Sequence, residues 1–152
     1  MRPELDETLA YLDGLAEQAG VAPVLFGTAV LELLGVGDFR ANDLDVIVSP
    51  EEARKLAMAV GVDPGDESGN DKFRSIVHLH LDGAPLIVDV MAGMSIHVAG
   101  DWVRYEVDEV MDIQVAGRRV RMASLGDLRR FYRLAGRAKD AAKIAALDAA
   151  LV

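Results

Sequence analysis

The sequence predicts a mixed α/β or α+β domain, in which a mixed sheet is flanked by helices and followed by C-terminal helices. Helical and extended patterns alternate over the first 61 residues. Extended patterns then dominate from 72 to 123, and helical patterns return from 124 onwards. With 152 residues, of which 51% are hydrophobic, the chain is expected to form a single domain over 1–152.

Periodicity and end signals define the elements of the first part. Residues 4–19 repeat leucine and alanine at helical spacing, and Gly20 ends that pattern. Ser49 is a predicted N-cap, followed by Pro50 at the first helical position. The predicted helices cover 4–19, 28–37 and 49–61, and the predicted strands cover 21–27 and 43–48.

The second part begins with a loop over 63–71, which is rich in turn formers. Two strands over 72–83 and 84–93 are predicted to pair around Asp82-Gly83, while 94–107 has no clear pattern. A hairpin over 110–124 is predicted to turn at Ala116-Gly117. Ser124 and Asp127 resemble a capping box. The predicted C-terminal helices cover 124–135 and 137–151.

Charge is distributed unevenly along the chain. The formal net charge is −9, which argues against strong non-specific binding to nucleic acid. Residues 118–143 nevertheless hold nine basic residues and only two acidic ones. This contrast suggests an anionic ligand between an acidic body and a basic segment, although a solvated helix face would look the same.

Two absences bear on the compartment. The chain has no cysteine, which excludes disulfides and thiolate metal sites and fits a reducing compartment. The acidic, amphipathic first 20 residues do not resemble a signal peptide, and no apolar run approaches the roughly 20 residues that span a bilayer. We therefore expect a cytoplasmic protein without a membrane partner.

The apolar pattern over 21–27 leads into Gly27-Thr28, where a helical pattern begins at once. Glycine lets a ligand approach the backbone, the helix start offers free N–H groups, and Thr28 adds a hydroxyl. These features suit a phosphate group, and they also suit an ordinary helix cap.

Three aspartates lie within strand patterns. Asp43 and Asp45 share one strand face, where their charges repel each other unless a cation lies between them; a solvent-facing strand start is the alternative. Asp89 lies in an apolar run, where an unpaired carboxylate is costly to bury. Phosphoryl and nucleotidyl transfer typically require carboxylates that bind divalent ions and a neighbouring site that binds phosphate, and these three aspartates beside Gly27-Thr28 could supply both.

The stretches FGTAVLELLG (26–35), FRANDLDVIV (39–48) and LIVDVMAG (86–93) resemble the polymerase-β-type nucleotidyltransferase superfamily, particularly its small single-domain members. The family pattern is a strand, Gly-Ser or Gly-Thr, a helix, Asp-x-Asp on the next strand and a third Asp on a later strand. The segment 124–151 resembles the C-terminal helices of small bacterial members. The likeness covers about residues 20–150 and implies a nucleotidyltransferase-like mixed sheet.

This resemblance implies that an NMP moves from an NTP, with ATP expected, to a hydroxyl of an unidentified acceptor. Two Mg²⁺ ions, or Mn²⁺ in their place, are the implied cofactors. The implied catalytic residues and metal ligands are Asp43, Asp45 and Asp89. Asp89 would also help to deprotonate the acceptor hydroxyl. The implied nucleotide-binding residues are Gly27, Thr28, Arg40, Lys139 and Asp140.

Two other functions stay open. His78, His80 and Asp82 form an H-x-H-x-D pattern on one strand face, which suits Zn²⁺ and a metallohydrolase, although imidazoles on the polar side of an edge strand or in a cleft wall would give the same pattern. The same fold can also serve as a catalytically silent nucleotide-binding module, or as half of a toxin–antitoxin pair with a protein partner. The presence of all three aspartates favours the enzyme, because a binding module could lose Asp89 and its burial cost.

Overall fold

The computed structural model describes all residues from 1 to 152. Its helices are α1 (Pro3–Ala19), α2 (Thr28–Leu34), α3 (Pro50–Val60), α4 (Leu125–Ala135) and α5 (Ala141–Ala150), and a short 3-10 helix covers Ala138–Asp140. Its strands are β1 (Val24–Phe26), β2 (Asp43–Val48), β3 (Ser68–Gly69), β4 (Phe73–Ser75), β5 (Val77–Leu81), β6 (Ile87–Ala92), β7 (Ser95–Val98), β8 (Asp101–Arg104), β9 (Val110–Val115) and β10 (Arg118–Ala123). No helix combines the length and apolar composition that crossing a bilayer requires.

The strands form two sheets. The larger has six strands in the order β5-β6-β2-β1-β10-β9. It is mixed, since β2 runs parallel to β6 and β1 parallel to β10, whereas the other neighbours are antiparallel. The smaller sheet is antiparallel, in the order β3-β4-β7-β8. The predicted fold class, a mixed sheet with flanking and C-terminal helices, is confirmed.

Alternating burial gives the strands β5, β6 and β2 two distinct faces. Every second residue is buried in the core, and these residues are Val77, Leu79, Leu81, Val88, Val90, Ala92, Leu44, Val46 and Val48. The helices α1 and α3 contact this part of the sheet. The intervening residues, among them three aspartates and two histidines, lie on the opposite face, which we call the cleft face.

An aromatic cluster joins the two sheets to α4. The ring of Phe131 on α4 lies 4.9 Å from that of Phe26 on β1 and 5.6 Å from that of Phe73 on β4, measured between centroids. Tyr105 completes the cluster, and its hydroxyl donates to the carbonyl of Asp127. These contacts fix the smaller sheet and α4 relative to the cleft face.

Several predicted boundaries are confirmed. Helix α1 ends at Gly20, whose φ of 71° is left-handed, and Ser49 forms a full capping box with Glu52 at the start of α3. The hairpin β9–β10 turns at Ala116-Gly117, where both residues have positive φ.

Other boundaries differ from the prediction. The predicted strand 72–83 is two strands, β4 and β5, which belong to different sheets. The break falls at Ile76, whose side chain fills the space left by the missing side chain of Gly93. The region 94–107 forms the β7–β8 hairpin, the loop 63–71 contains β3, and the last predicted helix begins as a 3-10 helix.

Candidate active site

A cavity of about 540 Å³ lies over the cleft face. The larger sheet, the smaller sheet and the C-terminal helices all contribute to its walls. Its polar lining side chains are Thr28, Arg40, Asn42, Asp43, Asp45, Ser68, Asn70, Arg74, Ser75, His78, Tyr132, Arg137, Lys139 and Lys143. Its size suits a small organic ligand rather than a single ion.

The strand register brings the three aspartates together. Parallel pairing of β2 with β6 places Asp45 directly opposite Asp89, and Asp43 lies two residues before Asp45 on the same face. One carboxylate oxygen from each of the three lies within 4.8 Å of the other two. Asp43 and Asp45 also line the cavity.

The electrostatics of this cluster favour a bound cation. Burial, together with the nearby charges of Asp43 and Asp89, raises the pKa of Asp45 to about 7. Burial and the proximity of Asp89 also raise the pKa of Asp43. Because the ionised carboxylates repel one another in a partly buried place, a divalent ion would relieve the cost of their charges. Hard oxygen donors suit Mg²⁺ or Mn²⁺, so these residues can hold such an ion.

Gly27 touches the same cluster through its backbone conformation. Its φ of 73° and ψ of −149° belong to a region that is essentially reserved for glycine. A Cβ at this position would lie 3.0 Å from Oδ2 of Asp45. The turn from β1 into α2 therefore lies directly against a carboxylate of the cluster, with Thr28 on the cavity wall.

Basic side chains form a further part of the cavity wall. Lys139 and Lys143 come from the C-terminal segment, Arg40 precedes β2, and Arg74 comes from β4. The guanidinium of Arg74 lies 3.9 Å from the ring centroid of Trp102, which holds it at the cavity. Burial lowers the pKa of Lys143.

Arg137 is positioned by Asp140. The Nε and Nη2 atoms of Arg137 donate to the two carboxylate oxygens of Asp140 at 2.8 and 2.9 Å. Asp140 is fully buried, and it also accepts from the backbone N–H of Arg137. Arg137 lines the cavity, whereas the Asp140 carboxylate lies behind it.

Two imidazoles stand next to Asp89 on the cleft face. The Nε2 atom of His78 lies 3.4 Å, and the Nδ1 atom of His80 lies 2.5 Å, from Oδ1 of Asp89. These contacts are not aligned as hydrogen bonds, so His78 Nε2 and Asp89 Oδ1 are buried without a hydrogen-bond partner. Burial alone would raise the pKa of Asp89, but the adjacent His78, Asp43 and His80 lower it.

Comparison with solved structures identifies the fold. The chain superposes with a TM-score of 0.68 on a presumed nucleotidyltransferase of Thermotoga maritima, TM1012, at 21% identity over 95% of this chain and 92% of that one. The chain has the polymerase-β-type nucleotidyltransferase fold. No family model and no curated protein matches its sequence.

Two further solved structures, each of a protein with a bound compound, share the nucleotidyltransferase fold with the chain. One is ANT(2″)-Ia in complex with adenylyl-2″-tobramycin, with a TM-score of 0.58 at 15% identity over 95% of this chain and 88% of that one. The other is the lincosamide antibiotic adenylyltransferase LnuA with bound lincomycin, with a TM-score of 0.57 at 16% identity over 92% and 94%.

Within this nucleotidyltransferase fold, most residues that the sequence singled out lie together. Asp43, Asp45 and Asp89 form the acidic cluster, and four further residues line the cavity: Gly27, Thr28, Arg40 and Lys139. Asp140 instead supports Arg137 from behind. Their roles stay predictions.

Local sequence motifs indicate only some of the cavity residues, and one predicted group of side chains is wrong. Arg137 and Lys143 belong to the basic segment, so the charge contrast indicated them, but no local motif indicated Arg74. The grouping of His78 and His80 with Asp82 is wrong, because Asp82 is exposed in the turn after β5 and the imidazoles meet Asp89 across the β5–β6 pair.

Proposed function

We propose that the protein transfers a nucleoside monophosphate from an NTP to a hydroxyl group of a small acceptor. The supporting observation is the convergence of Asp43, Asp45 and Asp89 beside a cavity with basic walls. Carboxylates for divalent ions and cations for a triphosphate are both required for this reaction, because the transferred group and the leaving group carry negative charge.

The acidic cluster would hold two Mg²⁺ ions, with Mn²⁺ as a substitute. When bound, the ions neutralise triphosphate charge and favour ionisation of the acceptor hydroxyl. Asp43 and Asp45 line the cavity and would orient the triphosphate through them. Asp89 would also accept the proton that the acceptor hydroxyl loses.

The remaining residues would bind and align the nucleotide. The backbone at Gly27 and the hydroxyl of Thr28 would hold the β- and γ-phosphates, since the turn lies against Asp45. Arg40 and Lys139 would neutralise phosphate charge from the cavity wall. Asp140 would act indirectly, by keeping Arg137 in place.

The fold neighbours support ATP as the donor and a small hydroxylated molecule as the acceptor. One neighbour was captured with an adenylylated aminoglycoside, and another is an adenylyltransferase with a bound lincosamide. The proposed compartment is the cytoplasm, which supplies ATP and whose reducing conditions suit a chain without cysteine.

The test begins with binding and then measures turnover. Calorimetric titration of the four NTPs, with and without Mg²⁺, should show Mg²⁺-dependent binding that Asp43→Asn/Asp45→Asn abolishes. Incubation with α-labelled ATP and a panel of aminoglycosides, lincosamides and other polyols should then transfer label and release pyrophosphate. Asp89→Asn should still bind nucleotide but lose transfer by at least about 100-fold, the usual scale of an acid–base contribution.

Asp101→Asn provides the matched control, since Asp101 is an exposed aspartate on β8 and lies outside the cavity. Turnover that survives in Asp45→Asn would refute the mechanism. Folded protein that binds no NTP would indicate the alternative, a silent module that acts with a protein partner, and a search for co-purifying proteins would follow.

A further inference from the structure

The cleft face carries a second group of metal-binding side chains beside the acidic cluster. His80 on β5 pairs directly with Asp89 on β6, and His78 lies two residues earlier on the same face. One ligand atom from each of His78, His80 and Asp89 lies within 4.8 Å of the other two. We propose that these three residues bind one transition-metal ion of the Zn²⁺ class.

One measured separation fits such an ion, and a second needs a small movement of an exposed side chain. Zn²⁺ takes nitrogen and oxygen ligands at about 2.0–2.1 Å, so two ligands of a tetrahedral site lie roughly 3.3 Å apart. The separation of 3.4 Å between His78 Nε2 and Asp89 Oδ1 matches that spacing. His80 Nδ1, at 2.5 Å from the same oxygen, has to move outward by less than 1 Å, which its 65% exposed side chain permits.

The unpartnered atoms give an independent indication. His78 Nε2 and Asp89 Oδ1 are both buried without a well-directed hydrogen bond, so contact with a protonated imidazole is the only pairing that they have without a metal. Buried polar atoms are normally paired, because an unpaired one costs roughly 1–3 kcal/mol. A metal ion between the two atoms would satisfy both at once.

Donor chemistry separates this site from the acidic cluster. Imidazole nitrogens favour Zn²⁺, Cu²⁺, Ni²⁺ or Fe²⁺, whereas Mg²⁺ selects oxygen donors. The two groups share Asp89, which stands in the sheet between His80 on one side and Asp45 on the other. Three protein ligands leave one coordination position open, as in catalytic rather than structural zinc sites.

The experiment measures metal binding directly and needs no turnover. Untagged full-length protein, stripped with a chelator, is titrated with Zn²⁺ by calorimetry in millimolar Mg²⁺ and without nucleotide. Co²⁺ serves as a spectroscopic probe, because ligation by imidazole in a site of low coordination number gives visible absorption bands. We expect one Zn²⁺ per chain, displacement of the Co²⁺ bands by Zn²⁺, and a loss of affinity of at least about tenfold in His80→Ala and in His78→Ala.

The chain offers a matched control for each part of the site. His97→Ala removes the one histidine outside the group, which stacks on Trp102, and should bind Zn²⁺ like the wild type. Asp43→Asn/Asp45→Asn should also retain the ion. Because His80 is exposed, His80→Ala should fold, and circular dichroism confirms this before the titration.

Two results would overturn the proposal. One is equal Zn²⁺ affinity in the wild type and in the folded His80→Ala and His78→Ala variants. The other is Zn²⁺ binding that Asp43→Asn/Asp45→Asn removes but the histidine variants retain, which would assign the ion to the acidic cluster. Neither result depends on whether the protein transfers nucleotides, so the two proposals fail separately.

Discussion

At the scale of single residues, Asp45 shows how much charge the cleft face concentrates. It is flanked by Asp43 along the strand and by Asp89 across the strand pair, and the backbone of Gly27 lies next to its Oδ2 atom. With no cation bound, the protonated form of Asp45 has a lower free energy than the ionised form in this buried, negatively charged place, so its pKa rises to about 7. The same arrangement should therefore cost stability and promote metal binding.

Asp45→Asn should stabilise the metal-free protein at pH 8. The carboxyl group of Asp45 has a pKa of about 7 in the folded protein and of 3.8 in the unfolded chain. Between pH 4 and pH 7 the folded state therefore holds a proton that the unfolded state has lost. The free energy of unfolding of the wild type falls as the pH rises through this range. An asparagine does not titrate, and its advantage should reach roughly 2–4 kcal/mol at pH 8. Urea denaturation in a chelating buffer measures it.

The advantage of Asp45→Asn should shrink as the pH is lowered from 7 towards 4. Adding Mg²⁺ at pH 8 should stabilise the wild type more than the variant, because the variant offers the ion two carboxylates of the acidic cluster instead of three. A variant that is less stable than the wild type in chelator at pH 8 would show that Asp45 serves mainly as a structural hydrogen-bonding group.

At the scale of elements, Asp127 ties three segments together. Its carboxylate accepts from the backbone N–H groups of Asp108 and Glu109, which lead into β9, and from the hydroxyl of Ser124. The expected capping box is therefore only half present. Ser124 accepts from the N–H of Asp127, but the Asp127 carboxylate binds a neighbouring segment.

Asp127→Asn should destabilise the protein by roughly 1–3 kcal/mol at pH 7, because an amide cannot accept all of these hydrogen bonds. Burial alone would raise the pKa of Asp127, but the bound N–H groups and Arg130 hold it below its usual range. The stabilisation is thus present at neutral pH and lost as the pH falls below about 4. The denaturation curves of the variant and the wild type should differ most at pH 7 and approach each other as the pH is lowered below about 4, whereas Asp101→Asn should match the wild type throughout.

Local signals predicted the elements well where the structure depends on neighbours in sequence. Gly20 and Ser49 mark helix ends through their own backbone conformation and side chain, so the sequence shows them directly. The division of 72–83 into two strands depends on Gly93, and the pairing partners of β4 and β5 lie in other segments. The choice of a distant pairing partner does not alter the alternation of apolar and polar residues within a strand, so the sequence of 72–83 does not show where it divides.

At the scale of the whole molecule, the net charge of −9 hides a division between acidic and basic regions. The C-terminal segment brings Arg137, Lys139 and Lys143 to the cavity that also contains Asp43 and Asp45.

The residues of the site that lie in local motifs could be predicted from the sequence. Arg74 was missed because the packing of two sheets, rather than a motif, carries it to the cavity, and the role of Asp140 depends on a contact that composition does not reveal. A single domain over 1–152 stays a prediction.

Lys139→Gln should weaken ATP binding by roughly fivefold, since an exposed charge contact contributes about 1 kcal/mol or less. The salt dependence of ATP binding should decrease in the same variant, because one fewer cation attracts the triphosphate. Lys55→Gln is the matched control, as Lys55 lies on α3 next to Glu51 and does not line the cavity. The affinity for ATP is measured at two ionic strengths for the wild type and both variants. Equal losses of ATP affinity in Lys139→Gln and Lys55→Gln would contradict a local role for Lys139.

The position of β10 in the larger sheet determines when the protein can fold during synthesis. Leu25 of β1 pairs with Met122 of β10, although almost a hundred residues separate them along the chain. A ribosome therefore has to release more than four-fifths of the chain before β1 acquires its second neighbour, and still more before Lys139 and Lys143 reach the cavity. Pairing between distant segments is slow, so the nascent chain exposes the unpaired side of β1 throughout elongation. A fragment that ends before Arg137 lacks that residue, Lys139 and Lys143, and with them part of the basic wall of the cavity.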